Sequence, residues 1–104
     1  MRVDKSNIIL FLKEIKAELV SDGISTLGLF GSFARDEAGV YSDIDIAIKK
    51  ENDYLSKRTA YDYFDEVSKI KSLLQKKFHR NSDVFDLDSN SSMRDEIMKD
   101  LIYV

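Results

Sequence analysis

From Asp4 to Val20 the apolar residues Ile8, Phe11, Leu12, Ile15 and Leu19 recur at the three- and four-residue spacing of one helix face. Lys13, Glu14, Lys16 and Glu18 lie largely elsewhere and read as solvated. Asp4 or Ser6 suits the start of this helix as a cap, and Asp22-Gly23 ends it. Ser25 to Phe30 is short, apolar and β-prone, and reads as a first strand. Gly31-Ser32 breaks it, Phe33 to Glu37 reads as the opening turn of a short helix, and a loop follows around Gly39. Ser42 to Ile48 then alternates strictly. Ile44, Ile46 and Ile48 face one way, and Asp43, Asp45 and Ala47 the other.

After a polar loop, Lys49 to Asp53, the spacing predicts one long helix from about Tyr54 to Lys77, with Ala60, Phe64, Val67, Ile70 and Leu74 as its buried stripe. Lys76, Lys77, His79 and Arg80 gather at its end, where positive charge suits the helix dipole. His79, the only histidine, reads there as a solvated or capping residue. Asp83 to Leu87 predicts a third strand. The last helix is expected to start near Ser92, in a capping box with Asp95, and to bury Met93, Ile97 and Leu101. The order α-β-α-β-α-β-α predicts an α/β (α+β) fold, a small mixed sheet of about three strands covered by helices. Spacing alone leaves the strand order open. With 104 residues, the expectation is a single domain spanning residues 1–104.

Composition narrows the chemistry. Without cysteine, disulfides, thiolate catalysis and cysteine-type zinc sites are excluded. The longest apolar run, Ile8 to Leu12, is far too short to span a bilayer. The opening Arg2, Asp4, Lys5 and Ser6 are polar, so a cytoplasmic protein without membrane attachment is expected. A net charge of −3 argues against direct binding along a nucleic-acid backbone. A single nucleotide neutralised by metal needs only a small local site.

Three features between Leu29 and Leu87 carry candidate chemistry. Gly31-Ser32 lies between a strand and a helix start, where backbone N–H groups, the dipole and a hydroxyl suit a phosphate. Taken alone, the pair reads first as a plain turn. Asp43 and Asp45 share a strand face with Cα atoms roughly 6.5–7 Å apart. Such carboxylates repel each other unless water or a cation intervenes. An all-oxygen set suits Mg²⁺, and a wet acidic face is the alternative. Asp83 opens a later strand and is the expected third acid if that strand lies beside the first two, with Asp86 and Asp88 as competitors. One or two metal ions held there would clamp the attacking and leaving oxygens.

Gly31-Ser32, ten intervening residues and Asp43-x-Asp45 resemble the signature of the DNA polymerase beta-like nucleotidyltransferase superfamily. The fuller string, Gly31-Ser32-Phe33-Ala34-Arg35 through Ser42-Asp43-Ile44-Asp45-Ile46, is similar to the minimal nucleotidyltransferases (MNT proteins). Asp83-Val84-Phe85-Asp86 and the closing Leu101-Ile102-Tyr103-Val104 extend the likeness. The resemblance implies the minimal nucleotidyltransferase fold, with Asp43, Asp45 and Asp83 as catalytic metal ligands and Gly31 and Ser32 as triphosphate holders. Two roles are open to Arg35: phosphate contact, or a surface pair with Asp36 or Glu37. Many relatives have glycine where Asp36 stands; an aspartate tolerates the left-handed backbone of such a turn but adds a negative charge near the phosphates.

The resemblance further implies Mg²⁺ as cofactor and ATP as nucleotide donor. The short length predicts that a second protein completes the site, in a homo- or hetero-oligomer. Relatives of this type imply a HEPN-domain toxin as partner, silenced by adenylylation of a Tyr, with this chain as the antitoxin. The alternative is a catalytically weak, nucleotide-binding antitoxin that neutralises its partner by contact. A third reading is transfer to a small molecule such as an aminoglycoside.

Overall fold

The computed structural model describes residues 2–89 and 91–104. Helix α1 spans Lys5–Ser21, and Asp4, not Ser6, caps it by accepting a 2.9 Å hydrogen bond from the Asn7 amide. Ile8, Leu12, Ile15 and Leu19 are buried as the periodicity requires, and Gly23 turns the chain at a φ of +100°. Strand β1 (Ile24–Phe30) runs into the short helix α2 (Gly31–Ala34). After a loop come β2 (Ile44–Lys50), α3 (Tyr54–Lys57), α4 (Ala60–Phe78), β3 (Ser82–Asp86), α5 (Met93–Asp100) and β4 (Ile102–Tyr103).

The sheet is mixed, in the order β3-β2-β1-β4. β1 pairs antiparallel with β2 and with β4, whereas β2 and β3 are parallel. A parallel pair needs a long crossover, and α3 with α4 supplies it. One face of the sheet carries Leu27, Leu29, Ile44, Ile46 and Ile48, buried with Ile8, Leu12 and Leu19 of α1 and Ile70 and Leu74 of α4. Complete burial of each such side chain contributes about 1.5–3 kcal/mol. The other face is thinner: Ala47, Leu87 and Ile97 are buried there, with Phe30, Phe85 and Leu101 half-buried around them. Helix α5 covers only part of this second face, so the start of β2 and of β3 is left open.

Several expectations change. There are four strands rather than three, because Ile102–Tyr103 adds to the free edge of β1. The helix expected from Tyr54 to Lys77 is two helices. Arg58 is extended, and Thr59 starts a new helix through a complete capping box with Asp62. The break also resets the buried stripe. Glu66, Ile70, Leu74 and Phe78 are buried, Val67 is half-buried, and Ala60 and Phe64 face solvent. At α5, Ile97 is buried and Met93 is exposed. Ser92 makes no side-chain cap there; the Ser91 hydroxyl accepts from the Met93 amide at 3.1 Å instead. His79 takes the left-handed cap position of α4 at a φ of +54°.

The far end of α1 meets α4 through charge. Lys69 of α4 reaches both Glu18 and Asp22, each at 2.8 Å. The Lys69 hydrogen bond holds the Asp22 carboxyl below its ordinary range. Glu66 is buried next to Asp22, and its Oε1 has no hydrogen-bond partner when the carboxyl is ionised. Burial first, and then the Asp22 carboxylate, push Glu66 up to about 7. The neutral form donates to Asp22; the anion cannot.

The folded chain therefore keeps a proton on Glu66 that the unfolded chain releases at lower pH. Stability from this group is full below the ordinary value of 4.5 and is lost progressively as pH rises from there through about 7. Replacing Glu66→Gln should remove the loss, so that denaturant unfolding at pH 8 shows the variant gaining about 1–2 kcal/mol relative to its difference from the parent at pH 5. Equal differences at the two pH values would refute this account of the pair.

Candidate functional site

Asp45 is the second residue of β2, and its register partners are Phe30 on β1 and Asp83 on β3. Register partners project to one side of a sheet, so Asp45 and Asp83 stand side by side on the open face, opposite the buried Ile44 and Ile46. Asp43 comes one residue before β2, which begins at Ile44 rather than at the expected Ser42. Asp43 and Asp83 are exposed, and Asp45 is half-buried.

The turn after β1 closes over Asp45. Gly31 has a φ of +77°, and a β-carbon there would press on the Asp45 carboxylate, 2.9 Å from its Cγ. Glycine is thus required twice, for the backbone conformation and for the space. With four residues α2 is too short to sum a dipole of any size, which corrects that part of the expectation; what it offers is the unpaired N–H groups of a first turn. It ends in a tight cap. The Asp36 amide donates to Phe33 at 3.3 Å and the Glu37 amide to Ser32 at 2.8 Å, with Asp36 left-handed at a φ of +58°. This is the double bond of a Schellman motif, with Asp36 at the position usually held by glycine. The Asp36 carboxylate meets Lys5 at 3.4 Å.

Burial raises the Asp45 carboxyl above its ordinary range, and the charges of Asp83 and then Asp43 add to the rise; Arg35 opposes it. Arg35 itself is engaged by Glu37 at 3.1 Å and by Asp100 of α5 at 2.7 Å. Its surface pairing thus involves Glu37 rather than Asp36, and Asp100 is a partner that spacing does not reveal. Asp86 and Asp88 sit on Lys50, at 2.6 and 3.6 Å, toward the other end of β2. By contrast, none of Asp43, Asp45 and Asp83 has an ion pair among the described residues. Nor do any three acidic or histidine side chains among the described residues come close enough together to hold a metal ion. The acids lie on adjoining segments around an open surface.

Arg80 was read only as a helix-end charge. Its Nη1 donates to the carbonyls of Gly39, at 3.2 Å, and Ser42, at 2.6 Å, on the loop leading to Asp43. No sequence signal marks such a contact, because both acceptors are backbone groups about forty residues away.

The family profile described as Polymerase beta, Nucleotidyltransferase matches residues 13–104. Among solved structures, the chain is similar to one assigned provisionally as a minimal nucleotidyltransferase, with 21% identity, a TM-score of 0.71, and coverage of 96% of this chain and 95% of that one. It is also similar to a toxin–antitoxin crystal structure with AMP-PNP, at 20% identity and a TM-score of 0.59, covering 97% of this chain and 72% of that one. At these identities the likeness concerns the fold, and it agrees with the mixed sheet and helices described above. No curated protein matches the sequence.

The packing of Gly31 on Asp45 is open to direct measurement. Gly31→Ala should cost about 1–3 kcal/mol in urea unfolding, from the left-handed backbone and the displaced carboxylate. Gly39→Ala, whose β-carbon would meet nothing within 4 Å, should stay within about 0.5 kcal/mol of the parent. Equal costs at the two sites would mean that the Asp45 carboxylate does not occupy the space above Gly31.

Proposed function

The chain belongs to the polymerase beta nucleotidyltransferase family, and from that premise we propose that it transfers AMP from ATP to a hydroxyl of a partner protein. The observation that carries the reading is the pairing of Asp45 with Asp83 on adjacent strands, with Asp43 close by and the Gly31 turn packed on Asp45. A like-charged group with no basic partner of its own is an incomplete electrostatic unit, and a hard divalent cation with oxygen preference completes it. The all-oxygen chemistry of these donors suits Mg²⁺, although the three side chains do not converge on one point as they stand. Asp43 and Asp45 would hold it, with Asp83 as the third ligand. When bound, it would neutralise triphosphate charge and polarise the α-phosphoryl group.

The protein's own groups divide the remaining work. Backbone N–H groups of the Gly31-Ser32 turn and the Ser32 hydroxyl donate to the phosphates. Arg35, already anchored by Glu37 and Asp100, lends positive charge at the rim. Asp83, the most open of the acids on β3, accepts the proton from the acceptor hydroxyl. The hydroxyl oxygen then bonds to the α-phosphorus in line with the bridging oxygen, and the bond from phosphorus to that oxygen breaks to release pyrophosphate. The Asp36 cap also favours activity: its charge meets Lys5, which offsets the negative charge that replaces a neutral glycine.

The likeness to a toxin–antitoxin structure with AMP-PNP supports an adenine nucleotide as donor and a toxin as partner. We infer that this partner is a HEPN toxin modified on a Tyr, and that the chain acts as its antitoxin. The acids' open arrangement favours one competing reading, in which a weakly active chain neutralises its partner by contact.

Incubation of the partner with this chain and Mg²⁺-ATP should add one nucleotidyl group, read by intact mass. Asp45→Asn and Asp83→Asn should each slow that transfer by about 10²–10³-fold. Both should leave the melting temperature unchanged or raised, because each removes a like charge from the pair. An unmodified partner, still inhibited by a chain carrying Asp43→Ala and Asp45→Ala, would replace the enzyme reading with the contact reading.

A further inference from the structure

Resting on the transferase reading, we propose that Arg80 is a positioning residue that fixes Asp43 relative to Asp83 and to the Ser32 turn. Asp43 belongs to no strand and makes no ion pair, so its placement depends on its backbone neighbours. Both of those neighbours are gripped by one segment. On one side, Arg80 donates to the Ser42 carbonyl at 2.6 Å. On the other, the Ile44 amide donates to the Asn81 carbonyl at 3.0 Å. Asp83 follows two residues later on the same segment. Residues 80 and 81 therefore bracket residue 43 and lead directly into the strand that carries the third acid.

The same guanidinium ties in the phosphate turn. Its Cζ lies 5.5 Å from the centroid of the buried Phe33 ring, next in sequence to Ser32. It also donates to Gly39 at 3.2 Å. The Gly39–Ser42 turn is closed from within as well, by the Ser42 amide on the Gly39 carbonyl at 3.2 Å and the Gly39 amide on the Ser42 hydroxyl at 2.9 Å. One guanidinium nitrogen, Nη1, holds both carbonyls while the rest of the planar cation lies over the Phe33 ring; a lysine ammonium could bond the carbonyls but lacks the planar group that faces the ring. Arg80 thus joins α2, the loop before β2 and the start of β3, the three segments that bear Ser32, Asp43 and Asp83. It does not itself touch any of the acids.

The test compares Arg80→Ala and Arg80→Lys with the parent chain by two readouts. Amide hydrogen exchange should speed up on the order of tenfold at Ser42 and Ile44 in Arg80→Ala, with less change in α1. AMP transfer to the partner should lose about 100-fold in kcat, the scale set by a displacement near 1 Å at a reacting centre, while KM for ATP changes little. Arg80→Lys should recover part of both effects, and it decides the matter if the alanine variant does not fold. Folded variants with parental exchange at Ser42 and Ile44 and a parental kcat would overturn the proposal. A parent chain that transfers nothing would defeat the transferase reading instead, and the exchange data would still judge whether Arg80 fixes the segment around Asp43.

Discussion

Everything at the open end of the sheet depends on the parallel, in-register pairing of β2 with β3. That pairing sets Asp45 beside Asp83, an arrangement that electrostatics alone disfavours. It is enforced from beneath. Ile44, Ile46 and Ile48 occupy the alternate positions of β2 and are fully buried. A one-residue slip would carry all three to the open face and the acids into the core. The register that buries the isoleucines is therefore the register that gathers the carboxylates, and hydrophobic packing supplies the free energy that holds like charges together. The Asp45 carboxyl is raised first by burial and then by the charges of Asp83 and Asp43, and that second part is the trace of the conflict.

The turn between β1 and α2 uses the same logic on a smaller scale. Gly31 and Asp36 both adopt left-handed backbone, at φ of +77° and +58°. Between them lies only one turn of helix, opened on a residue that cannot bear a side chain and closed by a two-bond cap. The two left-handed residues and the cap fix where the Gly31 backbone lies against the Asp45 carboxylate. Tight closure keeps the N–H donors of this turn in a fixed place, as phosphate binding requires.

Much of this was legible in the sequence where period and burial coincide. The stripe of α1, the alternation of β2 and the fold class follow from single-residue spacing, because each reports one hydrophobic face. Gly31, Asp43, Asp45 and Asp83 stand out through the spacing of Gly31-Ser32 to Asp43-x-Asp45 and its family resemblance; taken singly, a glycine turn and a wet acidic strand face account for them equally simply. What escaped detection depended on contacts across the chain. The break at Arg58 is invisible to a helical period that continues on both sides of it. Its only local sign is the Thr59-x-x-Asp62 box, which a continuous helical period masks. Strand β4 is only two residues long and exists because β1 has a free edge. The pairing of Arg35 with Asp100, and of Arg80 with Gly39 and Ser42, joins residues 38 to 65 positions apart.

The two ends of β2 offer an internal comparison. Near Lys50, Asp86 and Asp88 form an acidic pair, and the chain supplies a lysine at 2.6 and 3.6 Å that balances it. The Asp86 carboxyl accordingly lies below its ordinary range despite burial, with Lys50 as its chief stabilising partner. Near Asp45, Asp83 is the register partner on β3 and Asp43 lies just before β2, with no comparable cation. The nearest opposing charge, Arg35, is divided between Glu37 and Asp100, and Asp45 is shifted upward instead. Both ends lie on the same strands of the same sheet, so the difference is not one of architecture. One cluster is bridged by a lysine of the polypeptide and is structural. The other lacks a positive charge that the sequence provides elsewhere without difficulty, and that difference is what the proposed binding of a cation together with a polyanion accounts for.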